Sequence, residues 1–118
     1  APEKIIIDPG HDLNTNTLHS LEITRRLAEI AALGYPVLAA VSNKDFVGET
    51  LDAAKPDRVE GSLAAGVASI MNGARILRMH NVPAASSAIR MTEAILGWRA
   101  PVYLRHNMGE SNEPAVRA

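Results

Sequence analysis

The sequence predicts an α/β fold in the order βαβαβα, built on a parallel sheet with right-handed crossovers. Two observations lead there. Short runs of β-branched and aliphatic residues alternate with longer stretches whose apolar residues recur at three- and four-residue steps. Proline, glycine and polar clusters punctuate the boundaries between the two kinds of segment.

Ile5-Ile6-Ile7 reads as the first strand, closed by Asp8-Pro9-Gly10. A polar loop from His11 to Asn16 follows. A helix is expected from Thr17 to Leu33, with Leu18, Leu21, Ile23, Leu27, Ile30 and Ala31 forming its apolar stripe. Asn16 or Thr17 can cap its start, and Gly34 suits the left-handed position after its end. Val37–Val41 reads as the second strand. A helical turn over Phe46–Leu51 and a breaker at Lys55-Pro56-Asp57 come next. A second helix is expected from Ser62 to Asn72, stopped by Gly73, then a third strand over Arg75–Met79. The last helix runs from Pro83 to Leu96 and ends at Gly97. Residues 1–97 therefore form the folded part, and 98–118, with two prolines and few apolar clusters, read as a C-terminal tail.

Composition excludes several function classes. Twelve Lys and Arg against thirteen Asp and Glu leave a formal charge of −1 over 118 residues, without the basic excess of a nucleic-acid binder. Cysteine is absent, which removes disulfides, thiolate zinc sites and a cysteine nucleophile. Apolar residues make up 47%, enough for a packed core, but aromatics only 3%, so that core is aliphatic. No charge-free apolar run approaches the roughly 18 residues that a membrane span needs, and the N-terminus lacks a signal-peptide pattern. A soluble, cytoplasmic protein without nucleic-acid or membrane partners is the expectation. A closed β/α barrel needs eight units and about 250 residues. Three units make either a small open sheet or a piece of something larger.

In parallel α/β proteins ligands gather at the carboxyl ends of the strands. Asp8 ends the first strand, Ser42-Asn43-Lys44 the second and Arg78-Met79-His80 the third. Side chains alternate along a strand, so Arg78 and His80 share one face while Leu77 and Met79 face the helices. Two cationic-capable groups on one face are costly to bury without an anion or carboxylate partner, which points to an anionic ligand or to an internal salt bridge such as one to Asp8. Taken singly, Asp8 also fits a turn residue and Lys44 a solvated cation. His11, Asp12 and His19 match no compact metal motif and read as surface polarity. Ser42 lacks the Gly-x-Ser-x-Gly elbow of a nucleophile. Gly61-Ser62-Leu63 reads as a helix cap, or as a phosphate cradle.

Five blocks, in order and spacing from residue 4 to about 97, resemble the dihydropteroate synthase family. They are Ile5-Ile6-Ile7-Asp8-Pro9-Gly10, Leu33-Gly34-Tyr35-Pro36-Val37-Leu38 and Ser42-Asn43-Lys44-Asp45-Phe46-Val47-Gly48, then Glu60-Gly61-Ser62-Leu63-Ala64-Ala65 and Asn72 through Val82. The resemblance implies the last three units of a TIM-type (β/α)8 barrel, incomplete on its own. It also implies a transferase of folate biosynthesis that joins dihydropterin pyrophosphate to para-aminobenzoate and releases pyrophosphate, assisted by Mg²⁺ whose ligand lies outside this chain, in a homodimer. Carried over by motif, Asp8 and Lys44 resemble the pterin-binding pair, Ser42 the aminobenzoate-side serine, and Arg78 and His80 the pyrophosphate-binding pair. Lys44, Arg78 and His80 are then the residues expected at the reaction itself. The chain departs from the pattern on the acceptor side: Leu13 stands in place of an aromatic, Asn43 of an arginine, Ala40 of a glycine. Asn81 stands in place of an aspartate. The fragment alone is expected to be inactive. The alternatives are a non-catalytic paralogue that binds pterin or phosphate, and a dimerising scaffold.

Overall fold

The structure is a computed structural model that describes residues 4–109. Its elements follow the expected order: α1 (Thr17–Arg25), α2 (Leu27–Ala31), β1 (Leu38–Ala39), α3 (Asp45–Leu51), a 3₁₀ turn (Lys55–Asp57), α4 (Val59–Met71), β2 (Ile76–Leu77) and α5 (Val82–Ile95). β1 and β2 pair in parallel, Leu38 opposite Ile76 and Ala39 opposite Leu77. The Ile5–Ile7 segment joins them through a single parallel bridge, Ile7 opposite Val37. Two backbone hydrogen bonds make that bridge: Ile7 N–H donates to Pro36 O at 2.9 Å and Leu38 N–H to Ile7 O at 2.8 Å. The expected strands are thus present as short pairings around a central β1, and the fold is mixed α/β.

Two expectations are corrected. The expected helix over Thr17–Leu33 is two helices, broken at Arg26, whose backbone leaves the helical region at φ −104° and ψ 16°. Just before the break, the Thr24 hydroxyl donates to Ser20 O four residues back at 2.9 Å, a side-chain bond that bends helices. Glu22 and Glu29 straddle the break, both paired with Arg26. The helix expected to open at Ser62 begins at Val59, so Ser62 lies inside it, buried, rather than capping it.

Caps account for the starts of α1 and α5, and glycines for the stops after α2 and α4. Asn16 Oδ1 accepts from His19 N–H at 2.9 Å, and Asn81 Oδ1 from Ala84 N–H at 3.1 Å. Gly34 and Gly73 follow α2 and α4 with φ of +94° and +109°, values that side chains rarely tolerate.

The core lies where the sheet meets α2, α3 and α4. Leu27, Val37, Ala39, Val41, Phe46, Val47 and Ala74 are all buried in one cluster. Leu77 and Met79 face α4 as the alternation predicts: a Cβ at Gly66 would stand 3.3 Å from Leu77 Cδ1 and 3.4 Å from Met79 Cε. At Gly61, α4 passes still closer to α3. A Cβ there would lie 2.6 Å from Val47 Cγ1 and 2.7 Å from Leu51 Cδ1. Leu51 is exposed and can turn aside, but Val47 is buried and branched. Gly61→Ala should therefore cost about 1–3 kcal/mol of stability, read by urea denaturation; an unchanged midpoint would contradict this packing.

Residues 98–99 return to the fold rather than leaving it. Trp98 N–H donates to Glu93 O at 2.8 Å, the Arg75 guanidinium lies 4.7 Å from a Trp98 ring centroid, and Arg99 pairs with Glu93. Residues 100–107 are exposed and carry neither helix nor strand, and the rest of the expected tail, 110–118, lies outside the described residues. Among the described residues no helix is long and apolar enough to cross a membrane.

Candidate functional site

Parallel pairing sends all three strand segments toward one edge, so Asp8, Ser42-Asn43-Lys44 and Arg78–His80 leave the sheet on the same side. The Ser42–Lys44 segment lies between the other two and bonds to its surroundings at every residue. The buried Ser42 hydroxyl accepts from the backbone N–H of His80 at 3.1 Å, which ties it to the end of the third strand segment. Asn43 N–H donates to Ser62 Oγ on α4 at 2.8 Å. Lys44 Nζ donates to the carbonyl of His11 at 2.8 Å, in the loop after Asp8.

That loop is organised from within the protein. His11 is wholly buried, against the expectation of surface polarity, and stacks on Phe46 with ring centroids 5.6 Å apart. Its Nε2 lies 2.8 Å from Thr24 Oγ1, whose own proton goes to Ser20 O. Nε2 must then carry the ring proton, which leaves Nδ1 as a bare acceptor, buried and unpartnered. Burial pushes the His11 pKa below its ordinary value, and the Lys44 ammonium adds to the effect; the carboxylates of Asp8 and Asp12 oppose it. Asp12 accepts from Ser20 Oγ at 3.0 Å and from Phe46 N–H, in the first turn of α3, at 3.2 Å. Short-range pattern holds no trace of this arrangement, since its partners lie 8 to 35 residues along the chain.

The candidate residues fall into two groups. Ser42, Asn43 and His80 line a cleft of about 480 Å³, together with Ser62, Met79 and Pro83. Asp8 and Lys44 stand on the other flank, where both act on His11. Asp8 Oδ1 accepts from Gly10 N–H at 2.8 Å, the bond of a turn-forming aspartate. Leu13 closes that turn onto Gly10 O and is 70% exposed. Arg78 and His80 are both exposed, so the expected cost of burying them does not arise, and neither forms an ion pair with Asp8. Ser42 meets His80 through the backbone, not the imidazole, which is no nucleophile arrangement.

A family model described as "Pterin binding enzyme" matches residues 1–80. The chain belongs to the pterin-binding enzyme family. Within it, "Inactive dihydropteroate synthase 2" of Mycobacterium tuberculosis is 46% identical over 101 residues, 86% of this chain and 32% of that protein. The dihydropteroate synthase of Escherichia coli is 38% identical over 96 residues, 81% of this chain and 34% of that protein. The structure of the dihydropteroate synthase of Thermus thermophilus in complex with 4-aminobenzoate matches with a TM-score of 0.75 at 41% identity, over 78% of this chain and 38% of that one. The resemblance read from the five sequence blocks is therefore borne out. This family member spans about a third of the length of the curated relatives it matches.

Among the described residues no three His, Cys, Asp or Glu side chains converge to hold a metal ion.

Proposed function

We propose that this chain supplies the last three β/α units of an eight-unit barrel. The whole protein condenses dihydropterin pyrophosphate with para-aminobenzoate and releases pyrophosphate, and the chain alone is inactive. The observation that supports this reading is the convergence of the three strand segments on one edge, joined there by the Ser42–Lys44 segment. On this reading Asp8 accepts from the pterin ring N–H and its neighbouring amino group, as a two-oxygen carboxylate can. Lys44 keeps two of its three N–H donors for the ring while the third holds His11 O. Arg78 and His80, both open to solvent, stabilise the charge that grows on the departing pyrophosphate. Ser42 and Asn43 in the cleft, with Leu13 beyond it, form the acceptor side. Most of the rate enhancement then comes from positioning and electrostatics rather than from proton transfer. A homodimer belongs to the same proposal, and light scattering of the full-length protein tests it.

A second reading, binding without condensation, draws its support from the acceptor side. Asn43 presents no cation there, and the relative from Mycobacterium tuberculosis carries the name "Inactive dihydropteroate synthase 2". Calorimetric titration of the full-length protein with dihydropterin pyrophosphate, followed by a product assay with para-aminobenzoate, separates the two. Binding with product supports the transferase, and binding without product supports the second reading. No binding of the pterin sinks both. Arg78→Ala should weaken the pyrophosphate ester by about tenfold or more, as loss of a charge-assisted contact does, and leave the bare pterin nearly unchanged. Equal losses for both ligands would refute its role.

A further inference from the structure

We infer that Arg58 is a positioning residue that sets the Ser42–Lys44 segment by holding the Asn43 carbonyl from one side while Ser62 holds the Asn43 N–H from the other. The inference rests on the reading of that segment as ligand-contacting. Arg58 lies between the 3₁₀ turn and α4, and its side chain is only 12% exposed. Nη1 donates to Asn43 O at 3.0 Å and Nε to Ala53 O at 2.9 Å, while Ser62 Oγ accepts Asn43 N–H at 2.8 Å. Asp45 is a lesser partner: its oxygen is 3.3 Å away and its side chain 81% exposed, so solvent screens the pair. The carbonyl bonds, charge-assisted and shielded, are the stronger ones.

Asn43 has φ +59°, in the left-handed region, which asparagine enters more readily than most residues but at a cost that glycine does not bear. It is also the pivot between Ser42 and Lys44, so turning it would move both away from His80 N–H and His11 O. The guanidinium can serve two carbonyls because its donors form a rigid fork; an ammonium is a single point charge and cannot span both in the same way. Gly48 makes room for the fork. A Cβ there would lie 2.2 Å from Nη2 and 2.3 Å from Cζ, so α3 accepts the guanidinium only with glycine at this position.

Two variants outside the cleft lining therefore converge on one outcome. In the full-length protein, Arg58→Lys and Gly48→Ala should each shift the Asn43 and Lys44 amide resonances. Each should also weaken para-aminobenzoate, titrated onto the complex with dihydropterin pyrophosphate, by about tenfold, the scale of a displaced contact group. In Arg58→Ala, added guanidinium ion should recover both signals in part. Leu27→Ala, a core change that removes none of these hydrogen bonds, controls for general loss of stability and should leave both readouts in place. Unmoved Asn43 and Lys44 resonances in Arg58→Lys would overturn the inference, and so would an equal loss of affinity in Leu27→Ala. If the unaltered protein binds neither ligand, the proposed function fails, and the resonances alone still decide whether Arg58 sets the segment.

Discussion

Phe46→Ala should lower the unfolding free energy by about 3–5 kcal/mol, the usual cost of removing a buried phenyl ring and leaving a cavity. Phe46 is 2% exposed and belongs to the central cluster. Its ring also covers the His11 imidazole, so the loss extends beyond one side chain's packing. With a typical total stability of about 5–15 kcal/mol, such a change leaves a small domain close to unfolding. Its backbone N–H still reaches Asp12 Oδ2, so the start of α3 stays capped and the deficit reads out the loss of the ring. Urea denaturation measures it; a deficit under about 1 kcal/mol would mean that the ring is not packed as described.

The second large effect is a dependence on acid. His11 has a folded-state pKa below the ordinary 6.5, so as pH falls the unfolded chain takes up the proton first. Its contribution to stability is complete above about 6.5 and declines as pH drops below that value, toward the folded-state pKa. The slope reaches at most about 1.4 kcal/mol per pH unit. The charged groups acting on the ring are Lys44, which resists protonation, and Asp8 and Asp12, which favour it; burial outweighs both carboxylates. The other histidines, His19, His80 and His106, are exposed. His11→Gln keeps a donor for Thr24 Oγ1 without a titrating group, and should flatten stability between about pH 5 and 6.5. An equal slope in the parent and in His11→Gln would show that the imidazole is not the source. Protonation also brings a second positive charge beside Lys44, so the hold of His11 O on that ammonium should loosen over the same range.

What could be read from the sequence was whatever is local. Asn16 as a cap, Gly34 and Gly73 as stops, and the inward face of Leu77 and Met79 follow from residue type and alternation within a few positions. The break at Arg26 was hidden because the apolar stripe runs across it; just before it the Thr24 hydroxyl turns back on Ser20 O. Strand lengths were overestimated because β-branched runs report preference, whereas a ladder also needs partners, and Ile5 and Ile6 remain 44% and 55% exposed. On the candidate site, the strand-end rule pointed to Asp8, Ser42, Lys44, Arg78 and His80, and the parallel pairing puts the three segment ends at one edge of the sheet. The rule could not find His11, Asp12, Arg58 or Ser62, whose parts depend on contacts between residues 8 to 35 positions apart. Ser62 did stand out in sequence as a polar residue at a helix start. Its real task, accepting Asn43 N–H, became visible only once α4 was seen to begin three residues earlier.

The two hydroxyls that receive Asn43 N–H and His80 N–H sit on α4 and on the central segment, neither of them in a regular ladder. Those amides are shielded from solvent hydrogen only while several tethers hold at once, and releasing any one frees the segment that presents the others. Deuterium uptake at Asn43 and His80 should thus proceed at matching rates, as a single opening event, rather than residue by residue.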